Sequence, residues 1–500
     1  MGDILANLAT GWATALTLVN LSYCFLGVLI GTLVGVLPGL GPVATIAMLL
    51  PATLTLPADS ALIMLAGIYY GAQYGGSTTA ILINLPGESS SVVTTLDGHA
   101  MARQGRAGAA LATAAIGSFF AGTVATFVIA FLAPPLANLA INFQAPEYFS
   151  LMVLGLIASI VLAQGSLLNA LGMVVLGLLL GLIGTDVTSG TQRFTFGLSA
   201  LSDGINFVIV AMGVFGIAEI VRNLEDDETR ALLVQEIRGL MPNREERRRI
   251  VAPILRGTTV GSLLGILPGG GALLASFAAY AVEKRLSPRG QEFGKGAIEG
   301  VAAPEAANNA GAQTSFIPML TLGIPSNPVM ALMIGAMIIQ GIRPGPNVML
   351  EQAPLFWGVI VSMWIGNLFL LLLNLPMIGL WVRLLRVPYD LLFPSILLFA
   401  AVGVLSLSNS VADVYLLALF GVLGYAFAKL GCEPAPLLLG YILGPMMEEY
   451  LRRALTLSRG DPSIFLLRPI SAAMLFAAAL AVGLLVLPAV RSTRRQAFTE

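Results

Sequence analysis

Apolar runs with little charge, many of them near the roughly 20 residues that cross a bilayer as a helix and several too short to span alone, recur along most of this 500-residue chain. They lie at about 108–133, 147–163, 165–184 and 204–222, and again at 251–267, 272–284, 301–323, 328–341, 354–381, 390–407, 411–429, 434–447 and 469–490. A soluble core has no use for so many. Composition agrees: 57% of residues are hydrophobic and 11% charged, against about 25% charged in an ordinary soluble chain. The expected fold class is an all-α polytopic membrane protein with about 10–13 spanning or re-entrant helices.

The net charge of −1 offers no basic face, so no nucleic-acid partner is expected. Cys24 and Cys432 lie in apolar surroundings far apart and read as small buried side chains rather than a disulfide framework. The opening MGDILANLATGW lacks a basic n-region, so the first apolar segment is expected to stay in the mature protein.

Charge sets a topology after Arg103, the first basic residue. Arg103 and Arg106 precede the 108–133 run, and four runs later comes the long charged stretch with Arg222, Arg230, Arg238, Arg244 and Arg247-Arg248-Arg249. Basic loops stay in the cytoplasm. Four crossings between two such loops places the Arg193 loop outside. Three domains follow: a first repeat at 1–222, a charged cytoplasmic loop at 223–250, and a second repeat at 251–500.

The repeat is read from GTLVGVLPGLG (Gly31–Gly41) against GSLLGILPGGG (Gly261–Gly271), identical at seven of eleven positions. NLPGESS (Asn84–Ser90) follows the first copy much as GIPSNP (Gly323–Pro328) follows the second. Chance likeness of two Gly/Leu-rich stretches is the bland alternative; the shared proline and glycine spacing argue against it. The 108–133 run leaves a basic end while 354–381 arrives at one, which points to inverted repeats with the N-terminus outside. Broken half-helices would then meet near the midplane, where transporters of this construction bind substrate and ion.

The breaks supply candidate residues. At 37–42, Pro38 removes a backbone donor and Gly39 and Gly41 permit unusual conformations; Pro268, Gly269 and Gly270 repeat the pattern. Freed carbonyls suit a cation, and the next helix N-terminus suits an anion. The alternative is a packing kink without ligand. In 69–91, Gly75-Gly76 are expected to end a half-helix, with Ser77, Thr78 and Thr79 capping the next. Asn84, Pro86, Gly87, Glu88 and Ser89 surround a second break. Against this, Ser and Thr often bond back within their own helix. In 303–328, Asn308, Asn309, Thr314 and Ser315 are costly polar groups at membrane depth, with Pro325, Ser326 and Asn327 at the following break. Glu305 is read either as a helix-start carboxylate or as a proton or sodium site.

Enzyme signatures are sparse. The single histidine, His99, sits in the hydrophilic DGHAMARQG stretch and is expected to be a solvated loop residue. No metal site, catalytic residue or cofactor is expected. A Ser77/His99 hydrolase is the formal enzymatic alternative. The three lysines, Lys284, Lys295 and Lys429, form no P-loop, so energy must come from an ion gradient or another subunit.

Four motifs in order, LPGLGP, YGGSTTAILINLPGESSSVVTTLDG, GTDVTSGTQRFTFG and APEAANNAGAQTSFIPMLTLGIPSNP, strongly resemble the large subunit of the tripartite tricarboxylate transporters (TctA type). The resemblance runs from about residue 20 to beyond 440. It implies a multi-pass protein of the bacterial cytoplasmic (inner) membrane, coupled to Na+ or H+. It also implies a small four-helix membrane subunit and a periplasmic solute-binding protein that delivers a di- or tricarboxylate. A homodimer is kept as an alternative to a single copy in the lipid. Pro325-Ser326-Asn327 stands where many members have a Pro-Gly pair, which leaves the substrate open. A channel without coupled transport is the competing class.

Overall fold

A computed structural model describes residues 2–486 apart from 38–40, 164–165, 187–188, 226–238, 268–270 and 385–388. The described chain is helical, with one short antiparallel ladder, Gly184–Thr185 against Gln192–Arg193. Leu18–Val36, Ala107–Ala140, Phe207–Glu225, Ala353–Asn374 and Val411–Lys429 are long and apolar enough to cross a membrane. Shorter apolar helices accompany them, among them Pro42–Thr53, Leu167–Gly181 and Pro328–Ile339.

The chain forms two compact units, one of residues 1–137 and 219–403, the other of 138–218 and 404–500. The first is built around two helices that are buried on every side, Ala58–Ile83 and Glu299–Thr314. A helix with no solvent face lies inside its fold; Glu299–Thr314 does so with almost no large apolar side chain, whereas Ala58–Ile83 also buries Leu62, Ile63, Leu65, Ile68 and Tyr70. Close backbone approach packs both. Gly27, Gly31 and Gly35 of Leu18–Val36 lie so close to Ala58–Ile83 that an added Cβ would sit 2.2, 2.3 and 2.4 Å from the carbonyl oxygens of Met64, Ile68 and Ala72. Gly257, Gly261 and Gly265 of Arg244–Ile266 meet Ala303, Ala307 and Gly311 of Glu299–Thr314 in the same way, at 2.2, 2.4 and 2.4 Å. Small residues every fourth position let helices touch by van der Waals contact where lipid provides no hydrophobic drive.

The expected break at Gly75-Gly76 is absent: Ala58–Ile83 runs through it. Gly75 faces the Thr32 carbonyl, 2.4 Å from where its Cβ would be, and Gly76 makes room for the Glu88 side chain. The interruption in 69–91 falls instead at Asn84, in the left-handed region with φ 60°, and is followed by Glu88 in extended conformation. In the second half Gly323, φ 71°, ends one helix and Asn327 caps the next, accepting from the Met330 amide at 3.0 Å. The helix Pro42–Thr53 starts just after residues 38–40 and Gly271–Leu286 just after 268–270. Pro38, Gly39, Pro268, Gly269 and Gly270 themselves lie outside the described residues.

The charged stretch at 223–250 is not loop to its end. Asn243 and Glu246 form a reciprocal cap, so 244–250 is already helical and Arg247-Arg248-Arg249 lie on its first turns. Arg249 holds Glu299 through two bonds of 2.8 Å, and Arg256 holds the buried Glu283 through two of 2.7 Å.

In the second unit, Leu167–Gly181 packs on Ala435–Leu457, where Gly177, Gly181 and Gly440 allow close contact. Arg193 of the ladder binds Glu448 at 3.0 Å and Asp186 at 3.3 Å, and Arg452 bridges the same two carboxylates.

Candidate functional site

The two buried helices of the first unit present polar side chains to each other. Gln73 and Ser77 are one turn apart on Ala58–Ile83, and Glu305, Asn308 and Asn309 share a face of Glu299–Thr314. All five are buried. The segment after the Asn84 break then lays Glu88, Ser90 and Thr94 against them.

Two clusters result. In one, Ser77 donates to Glu305 Oε2 at 2.6 Å and Thr94 donates to Oε1. Asn309 completes it by donating to Ser118 Oγ at 2.7 Å and to the Glu305 carbonyl at 3.2 Å. In the other, the Ser90 hydroxyl sits among Gln73 Oε1 at 2.9 Å, Asn308 Oδ1 at 2.7 Å and the Glu88 carboxylate, which Asn308 Nδ2 also reaches at 3.2 Å. Among the described residues no Lys or Arg forms an ion pair with Glu88 or Glu305. Oxygen atoms dominate both clusters, which is donor chemistry for a proton or a hard monovalent cation.

Several expectations need correcting. Glu305 is not a helix-start residue; its helix begins at Glu299 and it is wholly buried. Ser77, Thr78 and Thr79 cap nothing, since the helix continues past them, and each bonds back to a carbonyl of its own helix. Thr79 does more: it also reaches the Gly35 and Val36 carbonyls, at 3.2 and 3.0 Å. Carbonyls freed at the end of Leu18–Val36 therefore find a hydroxyl. Asn84 and Ser89 are exposed and join neither cluster. Gly87 crosses against Gly35 and Gly76 with no room for a Cβ, and Pro86 leads into that crossing.

Gly41 precedes Pro42–Thr53 and has open space where a Cβ would be. Thr314 and Ser315 bond to carbonyls of their own chain segment. Ser326 is buried behind Pro325 and donates to the Ser315 carbonyl at 3.3 Å, while Asn327 reaches Tyr69.

His99 is half-buried with Nδ1 3.1 Å from the Ile81 carbonyl, and Ser77 turns to Glu305 instead, so the hydrolase pairing has no geometry. Cys24 is buried but Cys432 is partly exposed.

Sequence reasoning missed Gln73, Thr94 and Ser118, ordinary polar residues whose partners lie far along the chain. It also passed over Asp97. Its carboxylate is fully buried, and Oδ1 accepts from the amides of Gly294, Gly296 and Ala297 at 2.9, 2.8 and 2.8 Å. Tyr280 donates to Oδ2 at 2.9 Å. Three amides on one carboxylate oxygen pin the 294–297 turn against the middle of the 95–99 segment.

The family described as the tripartite tricarboxylate transporter TctA family matches residues 21–439, which contain both clusters and both helix breaks. The chain belongs to this family. The TctA family is a transporter family rather than an enzyme family, and as the large subunit of a tripartite system it implies partner subunits. One relative, from Agrobacterium vitis, is 61% identical over the full length of both chains and is described as "Uncharacterized 52.8 kDa protein in TAR-I ttuC' 3'region". A second from the same organism, "Uncharacterized protein in TAR-II ttuC' 3'region", is 60% identical over 240 residues, 48% of this chain and 99% of its own. No solved structure matches the chain.

Proposed function

We propose that this chain is the large membrane subunit of an ion-gradient-driven importer of carboxylate anions in the bacterial inner membrane. A periplasmic binding protein delivers the substrate and a small membrane subunit completes the complex. The observation that carries this reading is the oxygen-lined pair of clusters inside a TctA-family chain, with two buried carboxylates that have no basic partner among the described residues. Buried ionisable groups at membrane depth mark ion or proton paths.

In this reading residues 1–222 and 251–500 act as inverted repeats, with 223–250 as the cytoplasmic connection. Support comes from the two matching glycine ladders and from the matching breaks, Asn84 to Glu88 and Gly323 to Asn327. The anion binds at the half-helix N-terminus that starts at Pro42, beside Asn308, Asn309, Ser326 and Asn327. A helix terminus carries roughly half a positive charge, too little for a di- or tricarboxylate, so the coupling cation supplies the rest and both must bind together.

The test is reconstitution into vesicles with the small subunit and the cognate binding protein. Carboxylate accumulation above the equilibrium level, collapsing when the ion gradient is dissipated, is the expected result. Uptake that only equilibrates would favour the channel reading. Micromolar concentrative uptake by this chain alone would overturn the tripartite assignment.

A further inference from the structure

The helices Arg244–Ile266 and Gly271–Leu286 both pack on the buried helix Glu299–Thr314. The first does so through Gly257, Gly261 and Gly265, the second through Ala275 and Ala279. Their other faces are exposed, and each carries an apolar stripe that ends in a cation. Arg247, Val251 and Leu255 stand at every fourth residue along one helix, Phe277, Ala281 and Arg285 along the other, and all six are exposed. Residues four apart share a helix face. An exposed apolar face on a membrane-spanning chain is one that lipid covers.

Arg244, Arg248 and Lys284 flank the two terminal arginines and are exposed as well. Glu245, on the first turn of one helix, reaches Arg289, just beyond the last turn of the other, at 3.3 Å. Both groups of cations therefore lie at one end of the helix pair. The carboxylates at that end are already committed: Glu245 to Arg289, Glu246 to Arg106, Glu283 to Arg256, and Glu292 and Glu299 to Arg249. Among the described residues none forms an ion pair with Arg244, Arg247, Arg248, Lys284 or Arg285. Helix stability does not account for the three arginines on the first two turns of Arg244–Ile266, because a helix N-terminus favours anions.

Uncompensated cations at the rim of a lipid-facing apolar stripe are the chemistry that recognises a negatively charged phospholipid. The guanidinium fork matches phosphate oxygens. A zwitterionic headgroup brings its own cation and gains little here, and a soluble anion would leave the stripes uncovered. We infer that this end of the helix pair binds an anionic phospholipid. Arg247, Arg248 and Arg285 hold its phosphate, and its acyl chains lie along Val251, Leu255 and Phe277. The site is separate from the buried clusters and does not depend on which ion drives transport.

The experiment is thermal unfolding of the purified, delipidated full-length chain in a neutral detergent, titrated with phosphatidylglycerol or with phosphatidylcholine of the same chain length. A ligand that binds only the folded state raises the melting temperature as its concentration rises. Phosphatidylglycerol is expected to do so and phosphatidylcholine is not. Raising salt from about 0.1 M to about 1 M should weaken the response by screening. Glycerol phosphate, the headgroup without its chains, should have no effect. Arg247→Gln with Arg248→Gln, and Lys284→Gln with Arg285→Gln, should each raise the half-saturating phosphatidylglycerol concentration at least threefold. Arg343→Gln removes an exposed arginine elsewhere and should leave that concentration unchanged. Because the substituted residues are exposed, each variant should melt without lipid as the wild-type chain does. Equal stabilisation by the two phospholipids, or a phosphatidylglycerol response unchanged in both double variants, would overturn the inference. An equal response to glycerol phosphate would replace it with a soluble-anion site. Loss of the small membrane subunit on co-purification of the double variants, with the lipid response intact, would assign the face to a protein partner instead.

Discussion

Ser77 and Glu305, 228 residues apart in sequence, meet across a 2.6 Å hydrogen bond between the two helices that are buried on every side. This contact ties the first half of the chain to the second at the place where charge is most expensive. A hydroxyl donating to a carboxylate is worth about 1.5–3 kcal/mol. Ser77→Ala is therefore expected to raise the half-saturating concentration of the coupling ion about tenfold or more, since each 1.4 kcal/mol is a factor of ten. Uptake measured against ion concentration reads this directly. Ser22→Ala removes a hydroxyl that bonds only to its own exposed helix and should leave the curve unmoved. Equal curves for both variants would count against a role for the Ser77 contact.

The glycine ladders make a stability prediction. At Gly31 a methyl group would lie 2.3 Å from the Ile68 carbonyl oxygen and 2.8 Å from its Cα, both rigid backbone. Gly31→Ala should cost about 1–3 kcal/mol by overpacking, seen as a lower melting temperature in detergent. Gly172, in Leu167–Gly181, has nothing within 4 Å of an added Cβ. Gly172→Ala should be neutral or slightly stabilising, because alanine is the better helix former. The reverse order would show that close backbone approach does not hold the first unit together.

Asp97 holds three amides, so its loss should be felt in the turn it grips. Asp97→Ala leaves the amides of Gly294, Gly296 and Ala297 without their acceptor, and the buried Ala297 donor alone costs about 1–3 kcal/mol when unpaired. Asp97→Asn keeps one oxygen and should cost much less. Hydrogen exchange at these three amides distinguishes the variants: fast in the alanine form, near wild-type in the asparagine form. Unchanged protection in Asp97→Ala would mean that the turn is held by other contacts.

Topology can be tested by cysteine accessibility. With Cys432→Ser and Cys24 buried, single cysteines at Met241 and Phe196, both well exposed, report the two sides. The arginine bias predicts labelling of Phe196→Cys, but not Met241→Cys, by an impermeant reagent in intact spheroplasts. Labelling of Met241→Cys alone would invert the assignment.

Proline and glycine show where sequence is a good guide and where it is not. Asn84-Leu85-Pro86-Gly87 and Gly323-Ile324-Pro325 do interrupt their helices, because a missing donor and a left-handed φ are set by the residues themselves. Gly75-Gly76 carries an equally strong local signal, and yet the helix runs straight through. The difference lies in the neighbours: the Thr32 carbonyl and the Glu88 side chain occupy the space a Cβ would need.

Sequence alone determined the class, because apolar length and scarcity of charge are properties of each segment taken singly. It also determined the family, through motifs that are contiguous in the chain. The tertiary structure decided which polar groups meet. Glu305 and Asn308 were legible as costly residues, but Gln73, Thr94 and Ser118 were not. A buried polar residue takes its meaning from its partner, and these partners are brought within hydrogen-bond reach only when helices far apart in sequence pack together. Local chemistry fixes where a chain can bend and where it can cross a membrane; long-range packing fixes which oxygen atoms share one dry space.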